Sequence, residues 1–494
     1  MNRRDQTLRS LLEAPLDVLV IGGGIVGAGI ARDAAMRGLR VGLVEQHDFA
    51  FGTSSRSSRL LHGGVRYLAQ GRLGLVRQAS VEKRILHRIA PHLAEPLAFV
   101  FPAYRGATWP LWELRLGIKI YDLLCSGKNF GHSSALDREA MLKWAPRLNP
   151  DRLTGAVRYF DALTNDARLV LDTLRSAARH GAIAANYLKF KDARPESLRG
   201  WLCELEDRLT GQGSAIRTRA IVNATGPWAD GLPHSRVRLR LTKGVHLVIK
   251  RRRLPVADAV VMTDAKRILF AIPWGERVIL GTTDTDYRGP IEAVRAADGD
   301  IEYLLRITNE FFPEARLDRQ DVISTYAGLR PLIADGRNAG AGGPSDVSRA
   351  HRITNPEPGW WDVAGGKLTT YRLMAEETVD EIVEWLKRLN ELNRRLSLCR
   401  TAEEPLLAPE EVAGLSGIVP PEFSRRAVEH FCAEEWAVHL EDVMIRRSGW
   451  HCYFRDTREK AEQVAGWMAA ALSWPAEAQA VEIQRYHALT SHAG

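Results

Sequence analysis

The stretch Asp17-Val-Leu-Val-Ile-Gly-Gly-Gly-Ile-Val-Gly-Ala-Gly-Ile30, running on to Glu45, constrains this chain more than any other. Val18 to Ile21 are apolar in unbroken succession, the pattern of a strand buried on both faces in a parallel sheet. Gly22, Gly24 and Gly27 follow in G-x-G-x-x-G register, and Ile25 to Arg37 reads as a helix. Arg40 to Val44 reads as a second strand, ending in Glu45. Gly22 permits the tight turn, Gly24 admits a pyrophosphate to the backbone, and Gly27 lets helix and strand pack closely. Ile25 and Val26 open the helix, whose free N–H groups and positive dipole end face the phosphates. Glu45 stands where a carboxylate accepts both hydroxyls of a ribose, and its charge repels a 2′-phosphate. The glycines alone fit any glycine-rich helix start. Strand, helix, second strand and acid together point to an adenine dinucleotide.

A chain of 494 residues exceeds what one core serves, so two or three domains are expected. Its 45% hydrophobic and 26% charged content is that of a soluble globular protein, and no apolar run reaches the ~18–20 residues a membrane span needs. The start, Met1-Asn-Arg-Arg-Asp5, lacks the apolar core of a secretory signal, and a cytoplasmic location is expected. Cys125, Cys203, Cys399, Cys432 and Cys452 form no C-x-x-C, which suits a reducing compartment and argues against a disulfide framework or a metal site. The net charge of +8 fits an anionic partner: acidic lipid, phosphorylated substrate or nucleic acid. A solvated basic surface is the alternative.

Residues 1 to 15 read as a polar, partly helical arm. Phe49 to Arg59 is a serine-rich loop. Arg77 to Ile89 has helical spacing, with Val81, Ile85 and Ile89 on one stripe. Asn165-Asp166 signals the N-cap of a helix from Ala167 to His180. Ala220-Ile-Val-Asn-Ala-Thr-Gly-Pro-Trp228 is another buried strand running into a small-residue turn, which returns beside the first and closes the pocket with Ala224, Thr225 and Gly226. From Leu239 to Ala334 the pattern turns strand-rich, interrupted by a helix at Ile301 to Phe311. Asp335 to Asp346 is a loop, Gly359 to Lys367 returns to the first domain, and a long helix follows to about Leu389. Beyond Arg400 the chain is helical and polar.

Several runs resemble, in order, the FAD-dependent (aerobic) glycerol-3-phosphate dehydrogenase family of the D-amino-acid-oxidase-like flavoproteins. They are Val20 to Ile30, Thr53-Ser-Ser-Arg-Ser-Ser-Arg-Leu-Leu-His-Gly-Gly-Val-Arg-Tyr67, Asn223 to Trp228, Thr242-Lys-Gly-Val-His-Leu247, Gly281-Thr-Thr-Asp-Thr-Asp286, Ala327-Gly-Leu-Arg-Pro-Leu332 and Gly365-Gly-Lys-Leu-Thr-Thr-Tyr-Arg372. Glu434 to Gly449 resembles part of the family's C-terminal helical domain. That domain is somewhat short here, and the stretch from Gly106 to His132 departs from the family. The expected fold is α/β: a Rossmann-like FAD-binding domain at 16–90, 160–235 and 350–390, an inserted antiparallel substrate domain at 91–159 and 236–349, and a C-terminal helical domain at 400–494.

The resemblance implies oxidation of sn-glycerol 3-phosphate to dihydroxyacetone phosphate, with the C2 hydride passing to flavin N5 and a proton leaving the C2 hydroxyl. It implies that Arg66 and Arg330, with Tyr67, grip the phosphate, and that His246 is the general base. Lys367, at a helix start behind Gly365 and Gly366, is assigned to the flavin N1–C2=O locus or to the phosphate. Leu368, Thr369 and Thr370 are placed at flavin or substrate. Thr53, Ser54, Ser55, Ser57 and Ser58 serve the pyrophosphate and ring, with turn chemistry the alternative. Gly63 and Gly64 lay the backbone against the isoalloxazine. His62 occupies the place where some of the wider group attach flavin covalently; here FAD is expected to be non-covalent. Asp284 and Asp286 read as hairpin carboxylates. Electrons leave to a quinone or another acceptor such as oxygen. Interfacial attachment to the inner face of the cell membrane is assigned to Trp109–Leu124 or Lys250-Arg-Arg-Arg253. A homodimer is carried as an expectation, and no nucleic acid partner. The rival readings are an amine or amino-acid oxidase of the same fold and a non-catalytic flavin- or nucleic-acid-binding protein.

Overall fold

The computed structural model describes residues 3–64, 68, 71–125, 129–197, 200–334, 350–390 and 395–490. The strand Leu16–Ile21 is buried at every position and lies in the middle of the first sheet. Gly213–Asn223 and Val41–Val44 flank it, both parallel to it, and Trp360–Gly365 and Ile183–Ala185 lie outside these. Each such buried apolar side chain contributes roughly 1.5–3 kcal/mol, which fixes this strand as the sheet's axis. The fingerprint helix, Ile25–Met36, is buried nearly all round between the sheet and the helices Asp166–Arg179 and Tyr371–Arg388. Asn165 caps the first of these two by accepting from the Arg168 amide at 3.4 Å.

Among the described residues the second sheet has ten strands. Its floor is the long pair Leu239–Lys250 and Val322–Ile333, antiparallel and in register from Leu239↔Ile333 to Val248↔Ser324. The sheet is not wholly antiparallel as expected: Ala259–Asp264 runs parallel to Glu95–Tyr104. The strand Leu60–Leu61 also joins this sheet, so the serine loop bridges the two.

The helix at Leu73–Ile89 corrects the expected stripe. Ile89 of that stripe is buried, together with Val76, Ala79, Ser80, Glu82, Lys83 and Leu86, whereas Val81 and Ile85 are half-buried. Polar residues occupy the inner face because they are paired: Glu82 takes the Arg372 guanidinium and Lys83 meets Asp161 at 2.7 Å. The C-terminal helices have their own core around Phe431, Val443, Trp450 and Met468. They are not independent of the rest. Leu406, Leu407 and Val412 enter the core of the first sheet, and Ile418 and Cys452 that of the second. The loop expected at 335–346 lies outside the described residues. Among those described, no helix is long and apolar enough to cross a membrane.

Candidate active site

The carboxyl ends of the first sheet's parallel strands and one face of the second sheet enclose a cavity of about 310 Å³. On the dinucleotide side Gly22, Gly24, Ile25, Val26 and Glu45 line it, with Ala224, Thr225 and Gly226 closing the far edge. A Cβ on Gly27 would stand 2.0 Å from the Gly22 carbonyl oxygen, so only glycine lets the helix approach the strand this closely. Gly22 itself has φ +109°. The helix start carries no acidic residue and no side-chain cap, and the Ile25 amide donates to Ser54 Oγ at 3.1 Å. Such an end accepts an anion. Glu45 accepts from the Gly23 and His47 amides, each at 2.8 Å, and burial raises its pKa against those bonds. A carboxylate has about four acceptor sites, so ribose hydroxyls find room beside the two amides. The residues present therefore fit an adenine dinucleotide.

The opposite wall is built by strand alternation. On the strand Leu239–Lys250, Thr242, Gly244 and His246 share one face; on Val322–Ile333, Tyr326, Gly328 and Arg330 share the facing positions. Gly244 pairs with Gly328, and the pair makes a trough. A Cβ on Gly244 would meet Arg330 Nη2 at 2.3 Å, and one on Gly328 the Arg56 carbonyl at 2.6 Å. Arg330 lies over Gly244 and donates to Asp284 Oδ1 (3.1 Å), Thr282 Oγ1 (3.0 Å) and the Thr283 carbonyl (3.1 Å). Asp284, read as a hairpin carboxylate, thus fixes the arginine; Asp286 pairs instead with Arg240.

His246 is buried, stacked on Tyr326 at 4.8 Å, with Gly281 on its other side. Its Nε2 lies 2.8 Å from Ser58 Oγ, and Nδ1 has no hydrogen-bond partner among the described residues. Burial first, then the Arg330 and Arg59 cations, lower its pKa to about 3, so the ring is neutral. Arg59, which the sequence reading passed over, is buried in left-handed conformation with its guanidinium 4.2 Å over Trp274.

Several expectations change. Gly63 and Gly64 do not line the cavity: a Cβ on Gly63 would strike the Tyr121 hydroxyl at 2.5 Å, so that glycine makes room for the phenol behind it. Gly63 donates to Tyr121 Oη and Asp161 Oδ1. Thr53 lines the cavity, but its hydroxyl donates to the Leu329 carbonyl at 2.6 Å and ties the serine loop to the second sheet. Ser55 is not part of the lining. Ser57 lines it, while its amide donates to Asp166 and its hydroxyl accepts from Arg59, which is turn chemistry. Ser58, expected at the pyrophosphate or ring, lines the cavity and faces His246.

His62, Gly365, Gly366, Lys367, Leu368 and Thr369 all line the cavity. Lys367 does not begin the long helix: it precedes a single 3₁₀ turn, Leu368–Thr370, and the α-helix starts at Tyr371. The Thr369 hydroxyl is buried against the His62 main chain (3.1 Å to the amide), and that of Thr370 donates to the Lys367 carbonyl. These threonines shape the loops on either side of the cavity. Arg66 and Tyr67 lie outside the described residues. Phe51, Arg56, Trp228 and Gly328 also line the cavity and were missed. Only the glycine was legible, two residues before Arg330.

Residues 17–381 match a family model described as FAD dependent oxidoreductase. An aerobic glycerol-3-phosphate dehydrogenase of Bacillus subtilis is 38% identical over 410 residues, 82% of this chain and 73% of its own. A glycerol-3-phosphate dehydrogenase of Mycobacterium leprae is 34% identical over 523 residues, 96% of this chain and 87% of its own. The crystal structure of the glycerol-3-phosphate dehydrogenase from Bacillus halodurans complexed with FAD superposes with a TM-score of 0.76 at 30% identity, covering 99% of this chain and 97% of that one. A glycine oxidase from Geobacillus kaustophilus shares the fold alone, at 21% identity and a TM-score of 0.56 over 75% of this chain and 95% of its own.

Proposed function

This chain belongs to the FAD dependent oxidoreductase family, and from that premise we infer that it oxidises glycerol 3-phosphate to dihydroxyacetone phosphate with FAD as cofactor. One observation carries the reading: Arg330 and His246 stand on one face of the second sheet, opposite the glycine cradle, in a single cavity. Bound FAD supplies the two-electron acceptor for the hydride of C2. The residues of the chain bind the dianion, orient C2 and hold the proton.

Arg330, held by Asp284, Thr282 and the Thr283 carbonyl, brings its positive charge to the phosphate. His246, neutral in the cavity, accepts the proton of the C2 hydroxyl. Burial first, and then the Arg330 and Arg59 cations, hold its basicity low. A phosphate dianion beside Arg330 offsets the cations' share and shifts the imidazole upward. Ser58 Oγ, 2.8 Å from Nε2, holds the ring in place. Lys367 serves the negative charge that oxidation leaves on the cofactor.

The acceptor is a quinone reached from the membrane surface, in a protein held on the inner face of the cell membrane. What supports this is the helix Leu111–Leu124. Its inner face buries Leu114, Ile118 and Tyr121, while Trp112 (65%), Leu116 (54%) and Leu123 (77%) are exposed on the outside. Exposed Arg115 and Lys119 interleave them, the mixture an interfacial helix carries. The other candidate run is less suited: Arg253 pairs with Asp321, and Arg251 binds the Val256 and Gly275 carbonyls. FAD is held non-covalently, and acid precipitation should leave the yellow colour in the supernatant. Anaerobic mixing with glycerol 3-phosphate should bleach the flavin absorbance at once. Bleaching by glycine or D-amino acids, with glycerol 3-phosphate inert, would replace this reading by the amino-acid oxidase.

A further inference from the structure

The loop that follows Glu45 carries much of the wall of the nucleotide half: Glu45, Gln46, Phe51 and Arg56 all line the cavity. Asp48, in its middle, does not line it. Its side chain is wholly buried and meets two arginines from the C-terminal helices: Oδ2 accepts from Arg446 Nε and from Arg447 Nη1. Oδ1 accepts from Asn186 Nδ2 at 3.0 Å, and the same amide donates to the Trp436 carbonyl at 2.9 Å. Arg446 reaches on to Asp442 Oδ1 at 2.6 Å, which also takes the Tyr187 hydroxyl at 2.6 Å. Tyr187 in turn donates its amide to the His47 carbonyl, and Leu188 to that of Glu45. Phe49 packs edge-on against Trp436 at 5.3 Å, and the Arg446 guanidinium lies 5.7 Å from the Phe51 ring.

All the contacts converge on one short stretch of main chain. Both arginines stand in a single π-helical turn, Asp442–Arg447, and Arg447 is fixed by two bonds to the Glu435 carbonyl. The π turn is an element of its own between the helices Arg425–Glu434 and Trp450–Tyr453. Here it delivers two consecutive guanidinium groups to one carboxylate. Buried charges persist only when paired this fully, and loss of one partner leaves the other stranded.

We propose that the C-terminal helices act on the cofactor: Asp48, clamped by Arg446 and Arg447, is a positioning residue that holds the 45–56 loop closed on the nucleotide half of FAD. The proposal rests on FAD being the bound cofactor, and yellow wild-type protein settles that premise separately. The clamp sets the rate at which FAD leaves. Its removal lets the loop swing while glycine cradle and substrate wall stay intact.

The test follows FAD release from purified holoenzyme on dilution, read as the rise of free-flavin fluorescence. Asp48→Asn should release FAD at least tenfold faster than the wild type. Met468→Ala, a cavity in the C-terminal core away from the loop, should lower the melting temperature and leave the release rate unchanged. Should Asp48→Asn fail to fold, Arg446→Lys, which keeps the charge and loses the fork, carries the same readout. Release from the clamp variant at the wild-type rate would overturn the proposal. So would equally fast release from Met468→Ala, since the loop would then only report global stability.

Discussion

Replacing Arg330 by methionine keeps the bulk over Gly244 and removes the charge. In the structure the guanidinium is 18% exposed and bound to Asp284, which is 11% exposed, at 3.1 Å. A unit charge pair at about 4 Å interacts by about 4 kcal/mol at an effective dielectric constant near 20. The variant loses that attraction for the phosphate, and the repulsion from Asp284, about 2 kcal/mol at about 8 Å and present in the wild type too, is no longer offset. Solvent reaching the opened cavity screens part of the lost attraction, which leaves about 3–4 kcal/mol and a fall of roughly 10²–10³-fold in kcat/KM. The measurement is dye-linked steady-state kinetics on protein whose FAD content is checked by absorbance. Most of the loss should appear in KM, and the double variant with Asp284→Asn should recover about tenfold, because the stranded carboxylate is gone. A kcat/KM within fivefold of wild type, or an effect fully explained by missing FAD, would remove Arg330 from the phosphate site.

His246→Gln should lower kcat by about 10²–10⁴-fold with FAD retained; a loss confined to KM would make the histidine a binding residue. The same variant tests acid stability. The folded histidine titrates at about 3 and the unfolded one near 6.5, so the unfolded chain holds the extra proton between those values and wild-type stability falls as pH drops through that window, by at most about 4–5 kcal/mol. Glutamine should flatten that limb, and an unchanged unfolding profile from pH 6.5 to 3 would contradict the burial of a neutral ring. Gly27→Ala places a Cβ 2.0 Å from the Gly22 carbonyl oxygen, and should yield protein with little flavin and about 1–3 kcal/mol less stability in denaturant melts; normal flavin content would show that helix and strand can part there freely. Trp112→Ser should weaken flotation with anionic vesicles without altering dye-linked activity, and flotation equal to wild type would exclude the helix Leu111–Leu124 as the attachment face.

What the sequence made legible is local. The fingerprint strand and helix fall within a residue or two of their expected ends, because four buried apolar residues and three glycines leave the backbone few alternatives. Asn165 caps as read, since a cap depends only on the three residues after it. The helix Leu73–Ile89 buries Ile89 as expected, but apolar periodicity cannot see Glu82 and Lys83, which are buried by partners 290 and 78 residues away. The parallel pairing of Ala259 with Phe99 was invisible for the same reason.

The active-site residues divide along that line. Lys-Gly-Val-His and Ala-Gly-Leu-Arg each place glycine two positions before the polar residue, and a strand puts such positions on one face. That much can be read without a structure. Nothing local says that Gly244 stands opposite Gly328, yet this register makes the trough in which Arg330 lies across the neighbouring strand. One residue of slip would turn one strand's glycine, with its catalytic candidate, to the other face. Asp284, Thr369 and Ser58 each have a partner that no local pattern announces, because hydroxyls and carboxylates are read from sequence as ligand contacts or turn formers. Their actual partners are Arg330, the His62 main chain and His246. Polar side chains around a buried site satisfy one another first. The residues left to meet a ligand are those whose neighbours are already fixed, and only the tertiary register identifies them.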